Sequence, residues 1–172
     1  MNIVLLNKAL FYFDLHCLME DGQVFTEHRY VALEHGPVLG EYERKLVKKL
    51  AKHGIATQES DGRAKPIKLL HEAEETSLSV EQRDLARRLG KKFAAMTSQE
   101  ASDYSHLNLG WEMAWKEGLG GNPPQRGAAI IDMTIAMQQL LDEEEDDWLA
   151  APFSDEEKKA LQDLEESALS PW

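Results

Sequence analysis

The chain has 172 residues, 42% of them hydrophobic and 29% charged, with a formal net charge of −12 and one cysteine, Cys17. That length favours one domain whose core needs neither disulfides nor a metal, and a lone cysteine permits no internal disulfide. The charge is uneven: residues 1–70 hold ten Lys/Arg and nine Asp/Glu (+1), residues 71–172 nine and twenty-two (−13), which argues against a general nucleic-acid binder and suits a basic partner protein.

The chain opens on a predicted helix from Asn2 to about Leu18. Ile3, Leu6, Leu10, Phe13 and Cys17 form one stripe, while Leu5, Ala9, Tyr12, Leu15 and Leu18 make the helix apolar almost all round, as expected of a central, buried element. Asn7 and Asp14 fall on one face of it; a buried Asp14 needs a donor, for which Arg29 and Tyr30 are the candidates. Cys17 reads as a small core residue. The run Met1–Leu6 has no basic leader or cleavage pattern, so it does not read as a signal peptide. No stretch approaches the roughly 20 apolar residues of a membrane span. The expectation is a soluble, cytoplasmic protein.

After a turn at Glu20-Asp21-Gly22, Tyr30–Leu33 reads as a short strand. Gly36-Pro37 then reads as a hinge into a helix that starts at Pro37 and carries Leu39, Tyr42, Leu46 and Leu50 on one stripe. Residues 55–70 look like a hairpin about Asp61-Gly62, with Pro66 confining its strand to an edge. Helix, strand, turn and strand is also the order of a winged helix-turn-helix, and Arg44, Lys45, Lys48, Lys49, Lys52, Arg63, Lys65 and Lys68 supply basic groups over residues 41–70. Glu41, Glu43 and Glu59 dilute that patch.

Ser79 with Gln82, and Thr97 with Glu100, form two capping boxes, so one helix stops and another starts near Met96. Leu85, Leu89, Phe93 and Met96 line the first; Ala101, Tyr104 and Leu107 face inward from the second. Trp111 and Trp115 are placed as helical neighbours. Residues 118–127 read as a loop, followed by a helix from about Ala128 with Ala129, Met133, Ala136 and Leu140 on one stripe. Asp142–Asp147 is a run of six acids, Pro152 breaks the chain, and Ser154 with Glu157 starts a last helix with a narrow apolar face.

No phosphate-binding glycine loop, paired-cysteine zinc spacing, His-Glu-x-x-His or Gly-x-Ser-x-Gly occurs. The six histidines never fall at i, i+4 on a shared helix; His35 and His106 could meet in space, yet a pair without a third ligand or nucleophile makes no site. No catalytic, metal or cofactor residue is therefore assigned.

Three segments together carry a resemblance. Lys-Ala-Leu-Phe-Tyr-Phe-Asp at 8–14, the stretch from Tyr30 to Val38 ending in His-Gly-Pro-Val, and Ser105-His106 followed by Trp111 resemble the Panacea domain of SocA-like antitoxins, a family that includes proteins described only as phage-associated. The resemblance spans roughly residues 3–140. It implies a mainly helical fold with a small β element, no enzymatic chemistry, and neutralisation of a cognate toxin by direct binding. It marks Asp14, Tyr30, Gly36, Pro37, Val38, His106 and Trp111 as family positions, mostly architectural.

The expectation is thus an α+β, predominantly helical protein: a Panacea-like domain over 1–141 and an acidic helical extension over 142–172. Its partner would be a toxin, met through His35, Trp148, Phe153 and Trp172, and no cofactor is expected. The extension is either an arm for a basic partner or a tail pinned to the domain by its aromatics. A winged-helix-like DNA-binding regulator using residues 41–70 is the alternative function.

Overall fold

In the computed structural model, which describes residues 1–40, 43–58, 66–70, 77–119 and 129–142, the first helix is the axis. α1 spans Ile3–Asp21, capped by the Asn2 side chain and ended at Gly22 in a left-handed conformation. It runs through Glu20 and Asp21, further than the predicted turn, because Gly22 is where the backbone can reverse. Phe11, Tyr12 and Leu15 are fully buried, as a helix apolar on nearly every side requires.

The largest departure from expectation follows. Gly36–Leu39 is a strand, β2, not the start of a helix; it pairs antiparallel with β1, Tyr30–Leu33, in the register Tyr30 to Leu39 and Leu33 to Gly36. Gly36 has φ +94° while neither Glu34 nor His35 is positive. The reversal is therefore delivered by the glycine after a two-residue turn. Pro37, expected at a helix start, sits on a strand that needs no donor from it, since β2 is an edge. The other side of β1 is occupied: Ala32 N donates to Ala129 O at 3.1 Å and Ile131 N to Tyr30 O at 2.9 Å, with Val31 opposite Ile130.

Helix α2 begins only at Glu43 and runs to Lys52, so Leu39 belongs to the sheet, and Tyr42 lies outside the described residues. β3 (Ala56–Gln58) and β4 (Ile67–Leu69) form the predicted second hairpin; the Asp61-Gly62 turn and the wing cations Arg63 and Lys65 lie outside the described residues. α3 (Val80–Ala94) and α4 (Ser98–His106) carry both predicted capping boxes. Leu85, Leu89, Phe93 and Met96 join the core, but Leu107 is 61% exposed, because α4 ends one residue before it and its side chain leaves the inward face.

α5 runs Leu109–Leu119, two residues into the stretch expected to be loop, and α6 runs Met133–Asp142. α6 starts later than predicted: residues 129–131 are spent on the β1 edge, and Asp132 then caps the helix by accepting from Thr134 N at 2.8 Å. α5 and α6 approach closely, since a Cβ on Gly110 would stand 2.6 Å from the Ala136 Cβ. The fold is α+β and predominantly helical, with two small sheets among the described residues. The acidic run from Glu143, Pro152 and the last predicted helix lie outside the described residues.

Candidate functional site

Every family position that the structure describes gathers on the β1–β2 hairpin or on what grips it. At its base, Tyr30 OH donates to Asp14 Oδ2 at 2.8 Å; Thr26 gives its backbone N–H to Asp14 Oδ1 at 2.9 Å and its hydroxyl to Oδ2. Asp14 and Tyr30 are fully buried, so the carboxylate is satisfied by hydroxyl and amide donors. Of the two expected donors Tyr30 is the one used. Burial, then the charge and hydrogen bond of Asp14, push the Tyr30 phenol well above its ordinary pKa, so it stays a donor. Asn7, on the same helix face, accepts from Leu39 N at 3.1 Å and holds the opposite strand.

The tip is held through its carbonyls. Lys8 Nζ, on a side chain 1% exposed, donates to His35 O and, at 3.2 Å, to Pro37 O. Ser102 Oγ lies 3.1 Å from His35 O and 2.9 Å from Ser98 O, so its one proton is shared between them. Trp111 Nε1 donates to Leu33 O at 3.1 Å, and His106 hydrogen-bonds the backbone of Glu34. Gly36 is buried where a Cβ would stand 2.2 Å from Ser105 Oγ and 2.6 Å from Lys8 Nζ; only glycine satisfies both that space and the positive φ. Val38 is buried opposite Val31.

α4 and α5 supply the far wall. Asn108 accepts from Trp111 N at 3.2 Å and donates to Ala136 O at 3.0 Å, tying the start of α5 to α6. The His106 ring stacks on Trp111 with centroids 4.0 Å apart, and Trp111 stacks in turn on Trp115 at 5.7 Å. Burial, then the nearby Lys8 charge, lower the His106 pKa to about 4, and its Nε2 has no hydrogen-bond partner among the described residues. The ring is neutral near pH 7.

The arrangement is a clamp on the hairpin backbone. The hydroxyls of Ser102 and Ser105 are directed at backbone carbonyls, Ser105 to Ser102 O at 2.8 Å, so neither is activated by a histidine. What the clamp leaves outside is the pair Glu34 and His35, both exposed on a backbone fixed from within. Lys8, Ser102, Ser105 and Asn108 were not singled out from sequence. A lysine in an apolar run was the available signal for Lys8, because such a residue must find acceptors or leave the core.

Elsewhere, Cys17 is buried and its thiol is pushed up to about 11 by burial, then by Asp14 and Asp21, so it is a packed thiol and not a nucleophile. It borders a hollow of about 410 Å³ between α1 and α3, lined also by Glu20, Asp21, Glu81 and Asp84. Among the described residues no group of three His, Cys, Asp or Glu side chains is placed to hold a metal, and no helix is long and apolar enough to cross a membrane. Trp148, Phe153 and Trp172 lie outside the described residues.

A family model described as antitoxin SocA-like, Panacea domain, matches residues 6–112. No curated protein and no solved structure matches the chain.

Proposed function

This chain belongs to the Panacea-domain family of SocA-like antitoxins, and from that premise we propose that it neutralises a cognate toxin by direct protein–protein contact, without catalysis, in the cytoplasm. The observation that carries the reading is the clamp. Lys8, Ser102, His106 and Trp111 all donate inward to the hairpin backbone, which leaves Glu34 and His35 presented on a rigid tip. A pre-ordered tip loses little conformational entropy on docking. The toxin meets that tip, its affinity coming from a few desolvated contacts and its association rate from the acidic field of the chain.

Co-expression with the toxic product of a neighbouring reading frame tests this. The parent chain restores growth, and Glu34→Arg with His35→Asp abolishes rescue while leaving the melting temperature within a degree or two. Rescue by that variant at parental level refutes docking at the tip. The DNA-binding alternative has less support: among the described residues, two strands and no helix lie between α1 and α2, where a helix-turn-helix needs a preceding helix. Tight, salt-sensitive binding of the parent chain to duplex DNA would restore that alternative.

A further inference from the structure

α1 is apolar on almost every side, yet the described residues cover only part of it. Phe11, Tyr12 and Leu15 are sealed, whereas Leu6, Ala9 and Leu10 are half-buried. Those three, with Phe13, form one wall of an apolar groove of about 280 Å³, and α3 forms the other through Ala86, Leu89 and Gly90. The two helices run antiparallel, with Gln82 near the start of α3 donating to Asp21 at the end of α1 at 3.1 Å. Phe13 and Ala86 therefore mark one end of the groove, and Leu6 and Gly90 the other.

Two features of the rim go beyond what packing this chain requires. Phe25 stands at the Phe13 end, 40% exposed, with its ring edge-on to Phe13 at 5.4 Å. It is carried on a fixed turn: Thr26 N donates to Asp14 Oδ1, and Glu27, at φ +56°, donates its N–H to Val24 O at 3.2 Å. A large exposed aromatic on a pre-ordered turn loses little entropy on docking. At the other end, Gly90 lies inside α3, where glycine is less favourable than alanine. Its φ is not positive, and a Cβ there would meet nothing within 4 Å. The fold by itself gives no reason for a glycine, and a side chain laid from outside against the helix backbone does.

The patch carries both halves of a contact, and that selects the occupant. No side chain lining the groove is charged, so copies of a chain with net charge −12 can meet here without burying charge, although they repel elsewhere. Phe25 is a knob beside a hollow just below the ~300 Å³ at which small-molecule sites begin, a size that suits an aromatic ring. The flanking charges are reciprocal. Glu27 stands on the Phe25 turn and Lys91 follows Gly90 at the opposite end; both are exposed, and neither is paired among the described residues. A two-fold axis across the groove brings each Phe25 over the other copy's Gly90 and each Glu27 toward the other copy's Lys91. A two-fold contact between like chains requires such self-complementarity, and a contact with an unlike partner does not.

We propose that the α1–α3 groove is the contact face of a two-fold homodimer, in which each Phe25 closes the groove of the other copy against Gly90 and Glu27 pairs with Lys91 in both directions. The proposal does not rest on the toxin reading and stands or falls separately from it.

Sedimentation equilibrium of the full chain over ~1–100 μM tests it, and a monomer–dimer equilibrium is expected in that range. Phe25→Ser should weaken the dimer by roughly tenfold or more. Glu27→Lys and Lys91→Glu should each weaken it by about threefold and, combined in one chain, restore it to near the parental value. The charge exchange is confined to exposed positions, so it decides the matter even where Phe25→Ser fails to fold. A chain that stays monomeric throughout overturns the proposal, including one whose groove variants lose the toxin, which would assign the groove to the toxin. So does a dimer indifferent to these substitutions, or a double charge variant as weak as the two single ones.

Discussion

The described residues include two antiparallel hairpins of similar size, and they are held in opposite ways. β1–β2 is buried along nearly its whole length, and side chains of α1, α4 and α5 hold its backbone. Among the described residues, β3–β4 meets the start of the chain through main chain, with Ile67 N donating to Met1 O at 2.8 Å and Pro66 bridging Asn2, and Ala56 is its buried side chain. Leu69 and Leu70, which would anchor it, are 59% and 47% exposed. A two-stranded ribbon has little stability of its own. The first hairpin is therefore as stable as the core, and the second is a satellite that can change without disturbing it.

The contrast is broken most severely at Gly36. Gly36→Ala adds a carbon where Ser105 and Lys8 already stand and removes the residue suited to φ +94°; a loss of about 2–5 kcal/mol is expected, read by denaturant unfolding. A parental midpoint would show that the tip can shift without cost. Next comes Asp14→Ala, which leaves Tyr30 OH and Thr26 N buried without their acceptor and should destabilise by about 2–4 kcal/mol in the same assay. Asp14→Asn, which keeps an acceptor oxygen, should recover part of it.

His106 sharpens the comparison through pH. Its folded pKa, about 4, lies below its ordinary value of 6.5, so between those values the unfolded chain binds the extra proton. Stability is complete above about pH 6.5 and falls as the pH drops toward 4. Melting curves at pH 7 and pH 5 should show a fall that His106→Gln reduces; an equal fall in both proteins would remove His106 as its source. The smallest effect belongs to the second hairpin: Leu69→Ser should change stability by about 0.5 kcal/mol or less, and a larger loss would show that β4 has a buried partner after all.

What was legible in the sequence followed from local chemistry. Both capping boxes, the buried first helix, the α3 stripe and the Trp111–Trp115 pair depend on residues a few positions apart, where periodicity and cap chemistry act. The hinge misled for the same reason. Gly-Pro before an amphipathic run is a good helix start locally, and only the long-range pairing of Tyr30 with Leu39 turns it into a strand. The late start of α6 has the same origin, since nothing near Ala129 announces that it will border β1. At the site, Asp14, Tyr30, Gly36, Pro37, His106 and Trp111 were marked by family resemblance. Lys8, Ser102, Ser105 and Asn108 were missed because their partners are backbone atoms 27 or more residues away or, for Ser105, because the role is steric; such acceptors leave no trace in composition.

The strip 129–131, laid along β1, lies beyond the region matched by the family model, which ends at residue 112. So does Ala136, the surface that Gly110 touches. A fragment cut at the family boundary would keep the clamp residues yet sever α5 after Glu112 and bare the Ala32 N–H and the Tyr30 carbonyl, an open edge ready to pair with other chains. The portable unit, for recombination in nature or grafting at the bench, therefore extends at least to α6: an excision ending at Glu112 should aggregate more readily than one ending at Asp142, which keeps that edge paired.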